Sequence, residues 1–187
     1  MHGSQAQSPS AWVARFLPGV VAGGTVLDLA CGGGRHMRLA LDRGHRVVGV
    51  DRSLDGVRDL DGRAGIELLA CDLEDGRPFP LAGRAFAGVI VTNYLWRPSL
   101  APIIAAVAAG GLLIYETFAV GQERLGRPSN PDFLLRSNEL LDAARPRLTV
   151  VAYDHGLRDD GGGSRVVQRI AACGPEHPWS VHGTAPT

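Results

Sequence analysis

The chain contains no lysine: all nineteen of its basic residues are arginine. That absence excludes a Walker-type phosphate loop, which needs a lysine after its glycines. It excludes Schiff-base chemistry for the same reason. Cysteine is scarce. Cys31, Cys71 and Cys173 are an odd count without clustered spacing, so they form neither a disulfide framework nor a metal site. Cys31 and Cys71 fall at expected strand ends and read as small core hydrophobes. A reducing cytoplasm fits this usage best. Formal net charge is zero, which argues against a strong phosphate-binding face. The longest apolar run, from Ile103 through Ala109, is broken by Gly110 and Gly111 and is too short to span a bilayer. The N-terminus has no charged start followed by an apolar core, so no signal peptide is expected.

What remains is ordinary in bulk. The 187 residues, 45% hydrophobic and 20% charged, suit one soluble domain with a substantial core. Short apolar runs alternate with helical patterns. Strands are expected at Val26–Leu29, Arg46–Val50, Ile66–Ala70, Ala87–Thr92 and from Gly111 to Phe118. Helices are expected at Arg35–Leu41, from Ser53 to Leu60, at Ser99–Ala109 and at Asn138–Ala144. Continuous apolar strands alternating with helices imply a doubly wound, mostly parallel sheet with helices on both faces. Leu148–Tyr153 and Arg165–Ala172, separated by a Gly-rich stretch from Asp159 to Ser164, read as an antiparallel hairpin. Before the first strand, Ser10 is placed to cap a short helix with Trp12, Val13 and Phe16 on one face. This helix either packs on the domain or lies over a cleft as a lid.

The most informative text is Thr25 to His36, a buried strand running into Gly32-Gly33-Gly34 and then a helix. A strand, a tight glycine turn and a helix N-terminus make a nucleotide cradle, because glycines let a ligand approach backbone N–H groups. Asp28 precedes the glycines by four residues. A carboxylate there repels a pyrophosphate and suits a ligand carrying positive charge. A dinucleotide fingerprint also wants a third glycine, where this chain has Met37.

The run Asp28-Leu29-Ala30-Cys31-Gly32-Gly33-Gly34 resembles the first motif of class I S-adenosylmethionine-dependent methyltransferases, an acidic residue followed by a Gly-rich turn. Ala30 stands where the family has its first glycine. The five-strand alternation followed by an antiparallel sixth and seventh strand also resembles that family, over about residues 24–173. The resemblance implies a seven-stranded sheet and S-adenosyl-L-methionine as cofactor. Asp28, Ala30, Cys31, Gly32 and Gly34 would then cradle its methionine end.

Doubly wound sheets bind ligands beyond the carboxyl ends of their strands. Here those ends carry Asp28, Asp51, Asp72, Asn93 and Glu116. Asp51, with Arg52 beside it, can accept both hydroxyls of a ribose, a role that fits methyltransferases and dinucleotide enzymes alike. The resemblance gives Asp72 the adenine amino group and Leu73 a wall of the adenine pocket. It turns Asn93 toward the methionine end. Methylases of amide nitrogens carry an Asn/Asp-Pro-Pro-aromatic motif there. This chain has Asn93-Tyr94-Leu95-Trp96, which with its neutral charge sets it apart from enzymes of nucleic-acid bases. Methyl transfer is an in-line displacement that alignment can largely drive. If the acceptor must lose a proton, Tyr94 and Glu116 are the candidate catalytic groups, with Tyr115 and His36 behind them.

Residues 117–137 have no clean period and are long for a loop in a compact domain. They resemble the segment that follows the fifth strand in small bacterial methyltransferases of the tellurite-resistance and thiopurine type. Arg124, Arg127 and Arg136 could there bind an anionic small-molecule acceptor as forked donors. The expected organisation is a disordered stretch at 1–9, one domain at 10–173 and a loose tail at 174–187. Two other functions stay open. An NAD-dependent oxidoreductase keeps the glycine loop and Asp51 but leaves Asp72 unexplained, and the Tyr-Lys pair of short-chain dehydrogenases cannot be built here. A non-catalytic S-adenosylmethionine-binding protein is the other.

Overall fold

The computed structural model describes residues 8–159 and 163–182. Seven strands form one sheet: β1 (Thr25–Leu29), β2 (Arg46–Asp51), β3 (Ile66–Ala70), β4 (Phe86–Thr92), β5 (Val107–Phe118), β6 (Thr149–Asp159) and β7 (Ser164–Cys173). Their order is β3-β2-β1-β4-β5-β7-β6. The first five strands are parallel, and β7 runs antiparallel between β5 and β6. This is the seven-stranded, mostly parallel sheet with an antiparallel C-terminal pair that the alternation predicts. The strand order reverses between β1 and β4, so the loops after those two strands part and leave a crevice.

Alternate residues of each strand serve two separate cores. One face packs Leu27, Leu29, Val89, Val91, Leu113 and Tyr115 against α3 (Arg97–Ala105) and α4 (Glu139–Ala144). The other packs Val26, Ile90, Leu112 and Ile114 against α1 (Ala11–Phe16) and α2 (Arg35–Asp42). Each fully buried Val, Leu or Ile stabilises by about 1.5–3 kcal/mol, so the inner strands anchor the crevice between them.

The helix before β1 packs on the domain. Ser10 Oγ accepts the N–H groups of Trp12 and Val13, and Trp12 Nε1–H donates to the carbonyl of Ile170 at 3.2 Å. The expected helix at Ser99–Ala109 instead runs from Arg97 to Ala105. Its alanine-rich end belongs to β5, because Phe86 N–H takes the carbonyl of Ala106 and Val107 pairs with Phe86. Sheet pairing overrides alanine's preference for helix. The capped helix expected from Ser53 is a 3₁₀ turn at Asp55–Leu60, with Ser53 Oγ accepting the N–H of Asp55. The hairpin strands extend beyond the predicted runs because polar Asp154 and Arg158 sit on an edge strand, where alternation replaces a continuous apolar run.

The expectation of a loose C-terminal tail is corrected as far as residue 182. Residues 178–182 form α5 (Pro178–His182). Buried His177 donates from Nε2 to the Gly19 carbonyl at 2.9 Å and accepts the N–H of Trp179 at Nδ1. The Trp179 ring meets Phe16 edge-on, and it lies so close to Gly19 that a Cβ there would stand 2.1 Å from it. A histidine and a tryptophan thus close the segment over α1, which no helical period could announce. The disordered start expected at 1–9 falls mainly on residues outside those described. Trp179→Ala is expected to lower stability by about 2 kcal/mol in urea denaturation. An unchanged midpoint would mean the segment is not docked.

Candidate functional site

The turn after β1 is built from left-handed residues: Ala30, Gly32 and Gly34 have φ of 54°, 51° and 71°. Glycine adopts this freely, whereas at Ala30 it costs an L-residue about 1–2 kcal/mol. Three contacts hold the turn. Gly32 N–H donates to Asp51 Oδ2 at 2.8 Å, while Asp51 Oδ1 accepts the N–H of Ser53 at 3.1 Å. A Cβ on Gly34 would stand 2.4 Å from Val57, and one on Gly56 would stand 2.8 Å from the Gly32 carbonyl oxygen. The 3₁₀ turn therefore braces the glycine loop from outside. Gly56 is a residue that sequence reading missed, since only its closeness to another backbone explains it.

Two hollows meet above the carboxyl ends of β1 and β4. The first, 480 Å³, is lined by Ala30, Asp51, Arg52, Cys71, Asp72 and Leu73 on one side. Asn93, Tyr94, Leu95, Thr117, Phe118, Pro128 and Phe133 line the other, and Glu74 completes it. The second, 880 Å³, lies over the start of α2 and is lined by Ala30, Cys31, Gly32, Gly33, Arg35, His36 and Asn93, with Ser8 and Pro9 at its rim. Ala30 and Asn93 line both, so the hollows form one trough across the strand-order switch. Asn93 is held left-handed at φ 54° while its N–H donates to the Glu116 carbonyl at 2.9 Å.

The structure brings most of the sequence candidates together: Ala30, Cys31, Gly32, Asp51, Arg52, Asp72, Leu73, Asn93 and Tyr94 all reach the trough. Three do not. Gly34 is turned against Val57. Asp28 lies beneath the loop, 1% exposed, and accepts the backbone N–H of Met37. Its Oδ2 has no hydrogen-bond partner among the described residues. Burial pushes its carboxyl up to about 7, against the opposing pull of the Met37 N–H and Arg35. It supports the turn rather than lining the trough. Glu116 faces the α1 side of the sheet, 1% exposed, with its Oε2 2.8 Å from Nε of Arg169, its cross-strand neighbour on β7. A carboxylate sealed in that pair is no base for a ligand in the trough.

Tyr94 and His36 are corrected as bases too. Burial pushes the Tyr94 hydroxyl up to about 12, so it stays protonated. Tyr115 is fully buried and donates its hydroxyl to the Tyr94 carbonyl at 2.9 Å, fixing the loop after β4. His36 is not solvent-facing: it is 2% exposed, and its Nε2 accepts the N–H of Ser10 at 3.1 Å. Burial lowers its pKa to about 3, so the ring is neutral and ties α1 to the start of α2. Cys31 is driven the other way, up to about 12, by burial and by Asp28 and Asp51, and remains a thiol.

On the far wall, Arg97 bonds both oxygens of Glu139 and the carbonyls of Asp132 and Leu134, at 2.7–3.0 Å. It clasps the segment after β5 onto the start of α3. Of the loop expected to face an acceptor, only Thr117, Phe118, Pro128 and Phe133 line the trough. Arg124, Arg127 and Arg136 are exposed and line neither hollow.

Residues 26–110 match the model of a family described as a methyltransferase domain. Solved structures share the fold. An S-adenosylmethionine-dependent methyltransferase from Mesorhizobium loti is 18% identical over 82% of this chain and 92% of its own, with a TM-score of 0.62. TehB from Haemophilus influenzae is 16% identical over 87% and 61%, with a TM-score of 0.64. The 1,6-didemethyltoxoflavin N1-methyltransferase of Burkholderia thailandensis, solved with 1,6-didemethyltoxoflavin and S-adenosylhomocysteine bound, is 19% identical over 87% and 75%, with a TM-score of 0.61. Among curated proteins, none is significantly similar in sequence.

Two outcomes test this geometry. Gly56→Ala is expected to cost about 1–3 kcal/mol by overpacking the glycine loop, where helix preference alone would predict a gain. The pH dependence of Asp28 has a definite sign. Its carboxyl titrates near 3.8 when unfolded and about 7 when folded. The native state therefore holds an extra proton between those values, and that stabilisation is lost as pH rises through the folded value. Asp28→Asn is expected to match the parent near pH 4 and to exceed its stability near pH 9, read by urea midpoints. A variant weaker than the parent at the higher pH would refute the assignment.

Proposed function

We propose that this chain is an S-adenosylmethionine-dependent methyltransferase acting on a small-molecule acceptor. The single observation that carries the reading is the continuous trough across the β1–β4 switch, with Asp51 and Asp72 at one end and the glycine loop at the other. The family match and the shared fold point the same way.

The residues present fit the cofactor. Asp51 has lone pairs beyond those given to Gly32 and Ser53, enough to accept ribose hydroxyls. Asp72, exposed at the end of β3, is placed to accept the adenine amino group, with Leu73 and Cys71 as apolar walls. Ala30, Gly32 and Gly33 offer backbone to the methionine end, and Asn93 stands where the two hollows join. The orphaned oxygen of Asp28 lies under that turn, where positive charge above it would favour the ionised form of a carboxyl that burial holds at about 7. The argument against a dinucleotide is Asp72, for which a dinucleotide has no role. When bound, the cofactor supplies an electrophilic methyl group on a good leaving group.

The protein's own part is alignment. The loop after β4 is fixed by Tyr115, and the segment after β5 is clasped by Arg97. Together they wall the end of the trough. Glu116 is sealed and Tyr94 stays protonated, so neither serves as base. The acceptor therefore brings a free lone pair, or loses its proton to solvent or to a carboxylate of the trough wall such as Glu74. The fold likeness to TehB supports a relationship to the tellurite-resistance type, and the three cysteines, all free, are in keeping with a reducing cytoplasm.

Calorimetry with S-adenosylmethionine, S-adenosylhomocysteine and NADH tests the reading. Micromolar binding of the first two with no NADH signal is expected; NADH binding alone would overturn it. Asp51→Ala is expected to weaken S-adenosylhomocysteine at least about tenfold, or about 1.4 kcal/mol. Unchanged affinity would remove Asp51 from the ribose.

A further inference from the structure

We propose that the acceptor is an uncharged, flat, one- or two-ring aromatic molecule, held between Phe118 and Phe133 and oriented by the Thr117 hydroxyl. The inference rests on the cofactor reading above, which assigns the Asp51–Asp72 side of the first hollow to adenosine and leaves its other side for the acceptor.

Apart from Asn93, where the two hollows join, and Glu74, that other side is made of Tyr94, Leu95, Thr117, Phe118, Pro128 and Phe133. Three of the six are aromatic, two are purely aliphatic, and two carry a hydroxyl: Thr117, and Tyr94, whose hydroxyl has no hydrogen-bond partner among the described residues. Aromatic side chains lining a hollow favour a planar partner that can stack on them. Thr117, 1% exposed, lies on β5 opposite Gln168, whose amide is spent on the Leu140 N–H and the Arg136 carbonyl. The neighbouring hydrogen-bonding side chain is thus already committed, and the hydroxyls of Thr117 and Tyr94 are left to read a polar group of the acceptor. The hollow's 480 Å³ lies in the ordinary range for small-ligand sites, about 300–1,000 Å³.

Charge excludes the anion expected from the arginines of this segment. The hollow's ionisable wall groups are Asp51, Asp72 and Glu74 against one cation, Arg52, which stands at the adenosine end. Arg124 is turned out, with 85% of its side chain exposed, and Arg97 is consumed by Glu139 and two carbonyls. A carboxylate or phosphate entering here would meet a lining with three carboxylates and one guanidinium, which disfavours it. Discrimination follows from what the site fails to pair as much as from what it contacts.

The experiment uses the full chain saturated with S-adenosylhomocysteine, titrated with 2-naphthol and separately with 6-hydroxy-2-naphthoate, each followed by its own fluorescence. The neutral ring is expected to bind at least about tenfold tighter than the carboxylate. Thr117→Val should weaken 2-naphthol about fivefold or more, and Phe133→Asp should abolish its binding. Both variants should keep the parent's affinity for S-adenosylhomocysteine, which also shows that they fold. Equal or tighter binding of the carboxylate would overturn the proposal, as would binding of neither ring to the loaded protein. If S-adenosylhomocysteine itself fails to bind the parent chain, the cofactor reading falls, and this one with it.

Discussion

Everything in this structure that could hold a ligand depends on one constraint: a backbone turn that is left-handed at every second residue from Ala30 to Gly34. Such a turn brings its backbone to the mouth of the sheet, with the N–H groups of Cys31, Gly32 and Gly34 tied to Val50, Asp51 and Cys31, and it is costly to maintain. It is held on three sides. From below, the buried carboxyl of Asp28 takes the Met37 N–H and fixes the start of α2. From the side, Asp51 ties Gly32 to the end of β2. From outside, Gly56 and Val57 press against Gly32 and Gly34 so closely that a further methyl group would not fit. A turn set this way needs no ligand to shape it, and preorganisation of that kind lowers the cost of binding.

The two faces of the sheet divide the labour. On the α1–α2 face, the polar row Thr92, Glu116, Arg169 and Asp154 crosses four strands in register, and Glu116 and Arg169 neutralise one another in the interior. Breaking such a buried pair costs more than making it gains, so it specifies the antiparallel pairing of β7. On the α3–α4 face, Tyr115 and Arg97 hold the two loops that wall the trough. Buried polar groups are therefore spent on positioning backbone. The wall left for an acceptor is correspondingly apolar.

Much of the fold was legible in the sequence. β3 matches its predicted bounds, and β1, β2 and β4 fall within one residue of them; for these three inner strands the reason is that strands buried on both faces must be continuous apolar runs. The polar residues at strand ends pointed to the trough, and Asp51, Asp72 and Asn93 stand in it. The chemistry assigned to single side chains was less legible. Glu116 looked like a base because it ends a strand, yet strand pairing set Arg169 beside it. His36 stood behind Tyr94 and Glu116 as a candidate base, and Ser10 from another part of the chain covered it. The arginines after β5 looked like anion binders, and the loop's path turned them to solvent.

Sequence by itself determined the alternation of strands and helices, the glycine turn and the acidic strand ends. These are local properties, fixed by hydrophobic period and by φ angles that few residues tolerate. Only the tertiary structure decided which of those polar groups face a ligand and which are consumed inside the protein. It also decided that the C-terminal segment docks through His177 and Trp179, that Gly56 braces the turn, and that Thr117 lines the same hollow as Phe118 and Phe133. The physical reason is that a side chain's charge, exposure and free lone pairs depend on whatever distant residue packs beside it. That partner is chosen by the sheet's register, which the local sequence does not encode.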